Sequence, residues 1–184
     1  SDLPRYRFRR QASMRDGLRE AVETVRALRG ENGCPWDKAQ THASLRPYLL
    51  EETYETLEAL DAVATSPSGD HKNHLKEELG DLLLQVLLHA EIARENGDFS
   101  INEVAIELAE KLVRRHPHVF GKKKLASAEE VSGQWERNKR EEKPERESVL
   151  EGIPASLPAL LRAEKVIAKV SKRSEEHTSE LQSH

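Results

Sequence analysis

Two short acidic stretches carry residues that could do chemistry together. They are Leu49-Leu50-Glu51-Glu52-Thr53-Tyr54-Glu55 and Leu75-Lys76-Glu77-Glu78-Leu79-Gly80-Asp81. Carboxylates three or four residues apart lie on one side of a helix, so Glu52 pairs with Glu55 and Glu78 with Asp81. At roughly 100° per residue, Glu52 falls within about 60° of Leu45 and Leu49, which mark an apolar face. Glu78 sits beside Leu75 and Leu82 in the same way. A carboxylate facing a core is unfavourable unless its charge is compensated. Four of them converging from two helices suit a hard divalent cation, which prefers oxygen ligands. The plain alternative is a solvated face, since glutamate is a good helix former and usually exposed. Against it, both stretches break into apolar faces. No basic residue lies between Pro47 and Asp70 to pair with Glu51, Glu52, Glu55, Glu58 or Asp61.

The elements that must position these groups read as helices. The 184 residues are 34% charged and 4% aromatic, with long runs of Leu, Ala, Glu and Lys. That mix suits an all-α domain with a real core. A net charge of −4 argues against general nucleic-acid binding. The single cysteine, Cys34, excludes an internal disulfide and fits a reducing cytoplasm. No apolar run is long enough to span a bilayer. No signal peptide is visible, although the chain begins at Ser1 rather than Met.

Residues 1–11 read as a basic, flexible lead-in, and residues 12–142 as the main domain. Helical spacing of Leu18, Val22, Val25 and Leu28 predicts a first helix from about Ser13 to Arg29, ended by Gly30 and Gly33. A loop Cys34–Thr41 follows, with Trp36 expected as a core anchor. Thr41 is the expected N-cap of the first acidic helix, which runs to about Val63. After the turn Ser66–Gly69, the second acidic helix runs from about Asp70 to Asn96. It is apolar nearly all round and should be the most buried of the set. Gly80 in its interior implies close approach of a neighbour or ligand. Ser100–Glu103 is a capping box for a fourth helix that ends before Pro117.

Between Lys111 and Lys124 there are six basic residues and no acid. The triplet Lys122–Lys124 reads as a solvated face. Lys111 and Arg115, one turn apart, suit phosphate, which matches the planar fork of arginine. Ser127–Glu130 is another capping box, for a short helix carrying Trp135 and Lys139 at i, i+4. Residues 143–172 read as a linker and a last amphipathic helix over Pro158–Val170. The tail 173–184 looks like the translation of a common sequencing-library adapter, so Glu176-His177 and His184 are set aside as metal ligands.

The pattern Glu51-Glu52-x-x-Glu55, then 22 residues, then Glu78-x-x-Asp81 resembles the all-α nucleoside triphosphate pyrophosphohydrolases. Cys34-Pro35-Trp36-Asp37, Glu78-Leu79-Gly80-Asp81 and Arg114-Arg115-His116-Pro117-His118-Val119-Phe120 together resemble the MazG family over about residues 14–172. The resemblance implies a MazG-like bundle with a four-helix core and extra C-terminal helices. It also implies a homodimer and Mg²⁺-dependent hydrolysis of nucleoside triphosphates to monophosphate and pyrophosphate, with Mn²⁺ as an alternative ion. Carried over, Glu52, Glu55, Glu78 and Asp81 match the metal ligands, and Lys111, Arg115, Trp135 and Lys139 match positions associated with the nucleotide. Larger members are tandem repeats, and this chain resembles a first repeat with the linker into the second. Cleavage at the α-phosphorus needs cations on the triphosphate and an in-line water. Glu51 is the candidate to orient or deprotonate that water, with Glu77 as the alternative.

Two rival functions can be weighed. A carboxylate-bridged di-iron bundle would use Glu-x-x-His pairs, and residues 1–172 contain none. A non-catalytic dimerisation or regulatory module would keep the fold without needing its carboxylates, yet all four metal-matching positions are intact.

Overall fold

A computed structural model describes residues 14–121, 127–142 and 150–182. Every regular element among them is a helix: α1 (Met14–Arg29), α2 (Pro35–Ala39), α3 (Arg46–Thr65), α4 (Gly69–Asn96), α5 (Ile101–Arg115), α6 (Pro117–Phe120), α7 (Ala128–Glu141) and α8 (Ala159–Gln182). The chain divides into two compact units, one ending at Leu108 and the other beginning at Ala109. The lysine triplet Lys122–Lys124 lies outside the described residues.

The first unit is built on the α3–α4 hairpin, with α1 packed on α4. Its core is Val25 of α1, Leu45 just before α3, and Leu87, Leu88 and Ile92 of α4, with Ala21, Val22, Leu83, Leu84 and Ile101 packed around them. Helix α4 is the most buried, as its composition implies. Its end is sealed by Gly97 in the left-handed conformation, whose N–H reaches the carbonyls of Ala93 and Arg94. Its start is capped by Ser68, whose side chain accepts from the His71 N–H at 3.1 Å. The Ser100–Glu103 box also forms: Glu103 Oε2 accepts from the Ser100 N–H at 2.8 Å.

Several expectations need correction. Helix α3 starts at Arg46 with Leu45 at its N-cap, not at Thr41. Pro47 fits the first helical turn, where no N–H is needed, and Thr41 instead accepts from the Ser44 N–H across a tight turn. Residues 35–39 form the short helix α2 rather than a loop, started by Pro35. Trp36 on it is 51% exposed, so it is no core anchor; it meets Tyr48 edge-on at 5.7 Å. Gly80 has open space where a Cβ would stand. Among the described residues no neighbour accounts for it, although it lowers helix propensity by about 1 kcal/mol against Ala. Gly33 is the glycine that close approach demands, because a Cβ there would stand 2.1 Å from the Leu28 carbonyl. Helix α8 does not stop near Val170 but continues to Gln182. After Pro158 the sequence holds no Gly or Pro to end it.

A guanidinium ties the parts of the first unit together. Arg29, the last residue of α1, donates from Nε and Nη2 to Glu95 of α4 at 3.0 and 2.7 Å. Its Nη1 donates to the carbonyls of Asp37 and Gln40, the latter at 3.2 Å. One side chain thereby closes the loop 30–40 against the long hairpin. Nearby, Glu91 is buried on α4 and accepts from Arg94 at 2.9 and 2.6 Å. Those bonds, with the charge of Arg94 and of Arg26, hold its carboxyl below the usual range despite burial.

Candidate metal centre and phosphate-binding residues

Helices α3 and α4 run antiparallel, joined through Ser66–Ser68. This brings the middle of α3 beside the first third of α4, where the buried Thr56 hydroxyl lies 3.4 Å from the Glu78 carbonyl. Glu52 and Glu55 then face Glu78. One carboxylate oxygen from each of the three lies within 4.8 Å of the other two. Glu78 is buried, Glu52 half-buried and Glu55 exposed, so the cluster opens to solvent on one side.

The electrostatics of this group are those of a site short of positive charge. The Glu52 carboxyl is pushed above its ordinary value, first by burial and then by the charges of Asp81, Glu55, Glu78 and Glu51. Asp81 therefore belongs to the same field, although it is not within the 4.8 Å group. Glu51 is exposed and contributes to that field; Glu77 is exposed and is not among the charges acting on Glu52. Among the described residues no lysine or arginine pairs with the cluster. Among the described residues the neighbour at salt-bridge distance is His74, whose Nδ1 is 3.2 Å from Glu78 Oε1. Sequence reasoning missed His74, although its i, i+4 spacing to Glu78 was there to be read. Three carboxylate oxygens at this spacing, with the other charges raising the proton affinity of Glu52, fit a hard divalent cation.

Farther along the buried side of α4, Gln85 Oε1 and His89 Nε2 have no partner among the described residues. His89 Nδ1 is 2.8 Å from His42 Nδ1, with the rings parallel. Burial first, and then His42, hold the His89 pKa below its ordinary value.

The basic candidates lie in the second unit. Lys111 is half-buried. Arg115 ends α5 and stacks its guanidinium 5.0 Å from the ring centre of Trp135. Lys139 falls within α7, but its side chain lies outside the described residues.

Residues 40–120 match the model of the MazG nucleotide pyrophosphohydrolase domain. Over these residues the chain is similar to the MazG family. The matched segment contains all four metal-matching carboxylates, together with Lys111 and Arg115. The chain is 49% identical over 138 residues to a nucleoside triphosphate pyrophosphohydrolase of Escherichia coli (strain K12), covering 74% of this chain and 50% of the relative. It is 46% identical over 154 residues to a protein of Thermotoga maritima named nucleoside triphosphate pyrophosphohydrolase/pyrophosphatase MazG, covering 83% and 56%. It is 45% identical over 157 residues to a nucleoside triphosphate pyrophosphohydrolase of Mycobacterium tuberculosis, covering 84% and 45%. The chain thus spans about half the length of these relatives. Among the described residues no helix is long and apolar enough to cross a membrane.

Proposed function

We propose that this MazG-like chain hydrolyses nucleoside triphosphates to the monophosphate and pyrophosphate, with Mg²⁺ as the ion and Mn²⁺ as a substitute. The observation that carries the reading is the convergence of Glu52, Glu55 and Glu78 within 4.8 Å, with Asp81 in their field. These residues would hold the ion, which when bound neutralises charge on the triphosphate oxygens. The remaining work falls to side chains of the chain itself. Glu51 is exposed beside the cluster and close enough to bear on Glu52, which favours it over Glu77 as the group that orients or deprotonates the attacking water. Lys111 and Arg115 are the proposed ligands of the β- and γ-phosphates, and Trp135 and Lys139 complete the proposed nucleotide-binding set. Cleavage is at the α-phosphorus, so the water oxygen stays with the nucleoside monophosphate and pyrophosphate leaves.

The test is pyrophosphate release from each of the eight common ribo- and deoxyribonucleoside triphosphates, with and without Mg²⁺. Release from at least one, lost on chelation, is expected. No release from any would favour the non-catalytic dimerisation module.

The functional form is proposed to be a cytoplasmic homodimer. Leu50, Leu57 and Leu60 of α3 and Leu79 and Val86 of α4 are large apolar side chains left exposed, and a second copy would cover them. Sedimentation at micromolar concentration should give twice the 20.9 kDa chain mass; a stable monomer would contradict it.

A further inference from the structure

Arg115 is read above as a phosphate ligand, and the inference here rests on that reading. Its side chain is only 11% exposed, and two groups hold it. Glu142, one residue past the end of α7, accepts through Oε2 from Arg115 Nε at 3.0 Å and from Nη2 as well. Its other oxygen is 3.6 Å from Nε of Arg114. The guanidinium carbon of Arg115 lies 5.0 Å over the centre of the Trp135 ring, which is itself met by the His116 ring at 4.9 Å. Trp135 and Glu142 are seven residues apart, two turns of helix, so α7 can present both from one side.

The geometry has a direction. Both bonds to Glu142 run to the Nε/Nη2 edge, and neither uses Nη1. A guanidinium bonded along one edge and held over an aromatic ring keeps its remaining corner aimed in one direction. Among the described residues two arginines meet this one carboxylate. The carboxyl of Glu142 is held below its ordinary range, first by its bond to Arg115, with burial opposing it, and then by the Arg115 and Arg114 charges. It is therefore ionised at neutral pH and offers its full charge to the pair.

We propose that Glu142 is a positioning residue for substrate: it clamps Arg115 edge-on against Trp135, so that Nη1 is pre-set to receive a phosphate oxygen of the triphosphate. Arginine otherwise loses rotamer freedom when it closes on an anion, and a clamp made on folding removes that loss from binding. Trp135 then acts through Arg115 rather than by direct stacking on the nucleotide.

The test compares the full chain with Glu142→Gln, Glu142→Asp, Arg115→Ala and the Glu142→Gln/Arg115→Ala double variant. The readouts are kcat and KM for a triphosphate and the calorimetric Kd of inorganic pyrophosphate, both with Mg²⁺. Glu142→Gln should raise KM and the pyrophosphate Kd roughly tenfold, the scale of one charge-assisted hydrogen bond, with kcat within about twofold. Glu142→Asp keeps the charge and should fall between Glu142→Gln and the unaltered chain. It gives the answer by itself if Glu142→Gln does not fold. The double variant should be no worse than Arg115→Ala, which a merely structural role would not produce. A KM unchanged or lowered in Glu142→Gln, or losses that add in the double variant, would overturn the proposal. If Arg115→Ala weakens both readouts and Glu142→Gln neither, the clamp alone is wrong. If Arg115→Ala changes nothing, the phosphate reading of Arg115 and the clamp fall together.

Discussion

Glu52→Gln should reduce metal-dependent hydrolysis by on the order of 100- to 1000-fold, the loss expected when one preorganised charge-stabilising group is removed. Glu52 is the carboxylate on which the rest of the cluster bears: burial raises its proton affinity most, and Asp81, Glu55, Glu78 and Glu51 all raise it further. In the metal-free protein that crowding is unfavourable, because like charges are held together without a cation. Removing the Glu52 charge should therefore leave the chelated protein as stable as before, or more so, at neutral pH. The two effects separate ligand from scaffold. A thermal melt with chelator and a rate with saturating Mg²⁺ read them out. Unchanged turnover would remove Glu52 from the ligand set, and a large loss of stability in chelator would make its role structural.

Arg29→Ala should destabilise the first unit by about 3 kcal/mol. Its side chain is 5% exposed and makes four hydrogen bonds, to Glu95, Asp37 and Gln40. Truncation leaves the two carbonyls of the loop without their donor and Glu95 without its partner. Glu95 is about one-third exposed and can rehydrate, which keeps the loss below that of a fully buried pair. For a chain of this size the melting temperature should fall by roughly 10 °C. Arg29→Lys should recover only part of it, because an ammonium cannot bond both Glu95 and the loop carbonyls with the same fork. A fall of less than about 1 kcal/mol would mean that the loop is held by its packing and not by this side chain.

The contrast between these residues marks what the sequence could disclose. The approach of Glu52, Glu55 and Glu78 was legible because carboxylates at helical spacing beside leucines carry an unfavourable charge visible from the pattern; Asp81, expected with them, lies outside that group. The helices α1, α4 and α5 were legible from apolar periodicity and from strong local punctuation, Gly97 and Ser100 above all. Trp36 was misread because its exposure depends on how the loop 30–40 is held, and Arg29 reaches that loop from the end of a different helix. The start of α3 was misread because two local signals compete there, a capping threonine and a helix-starting proline. His74 offered a readable i, i+4 spacing, but an isolated histidine on a charged helix says little without its burial. The bond between Arg115 and Glu142 spans 27 residues and two helices, and no local pattern announces it.

The central claim is that a water attacks the α-phosphorus of a nucleoside triphosphate under the control of the α3–α4 carboxylates. Hydrolysis in ¹⁸O-labelled water with Mg²⁺, followed by mass spectrometry of the products, tests it most directly. The account predicts the label in the nucleoside monophosphate and none in pyrophosphate. Label in orthophosphate, with a nucleoside diphosphate as the other product, would contradict it.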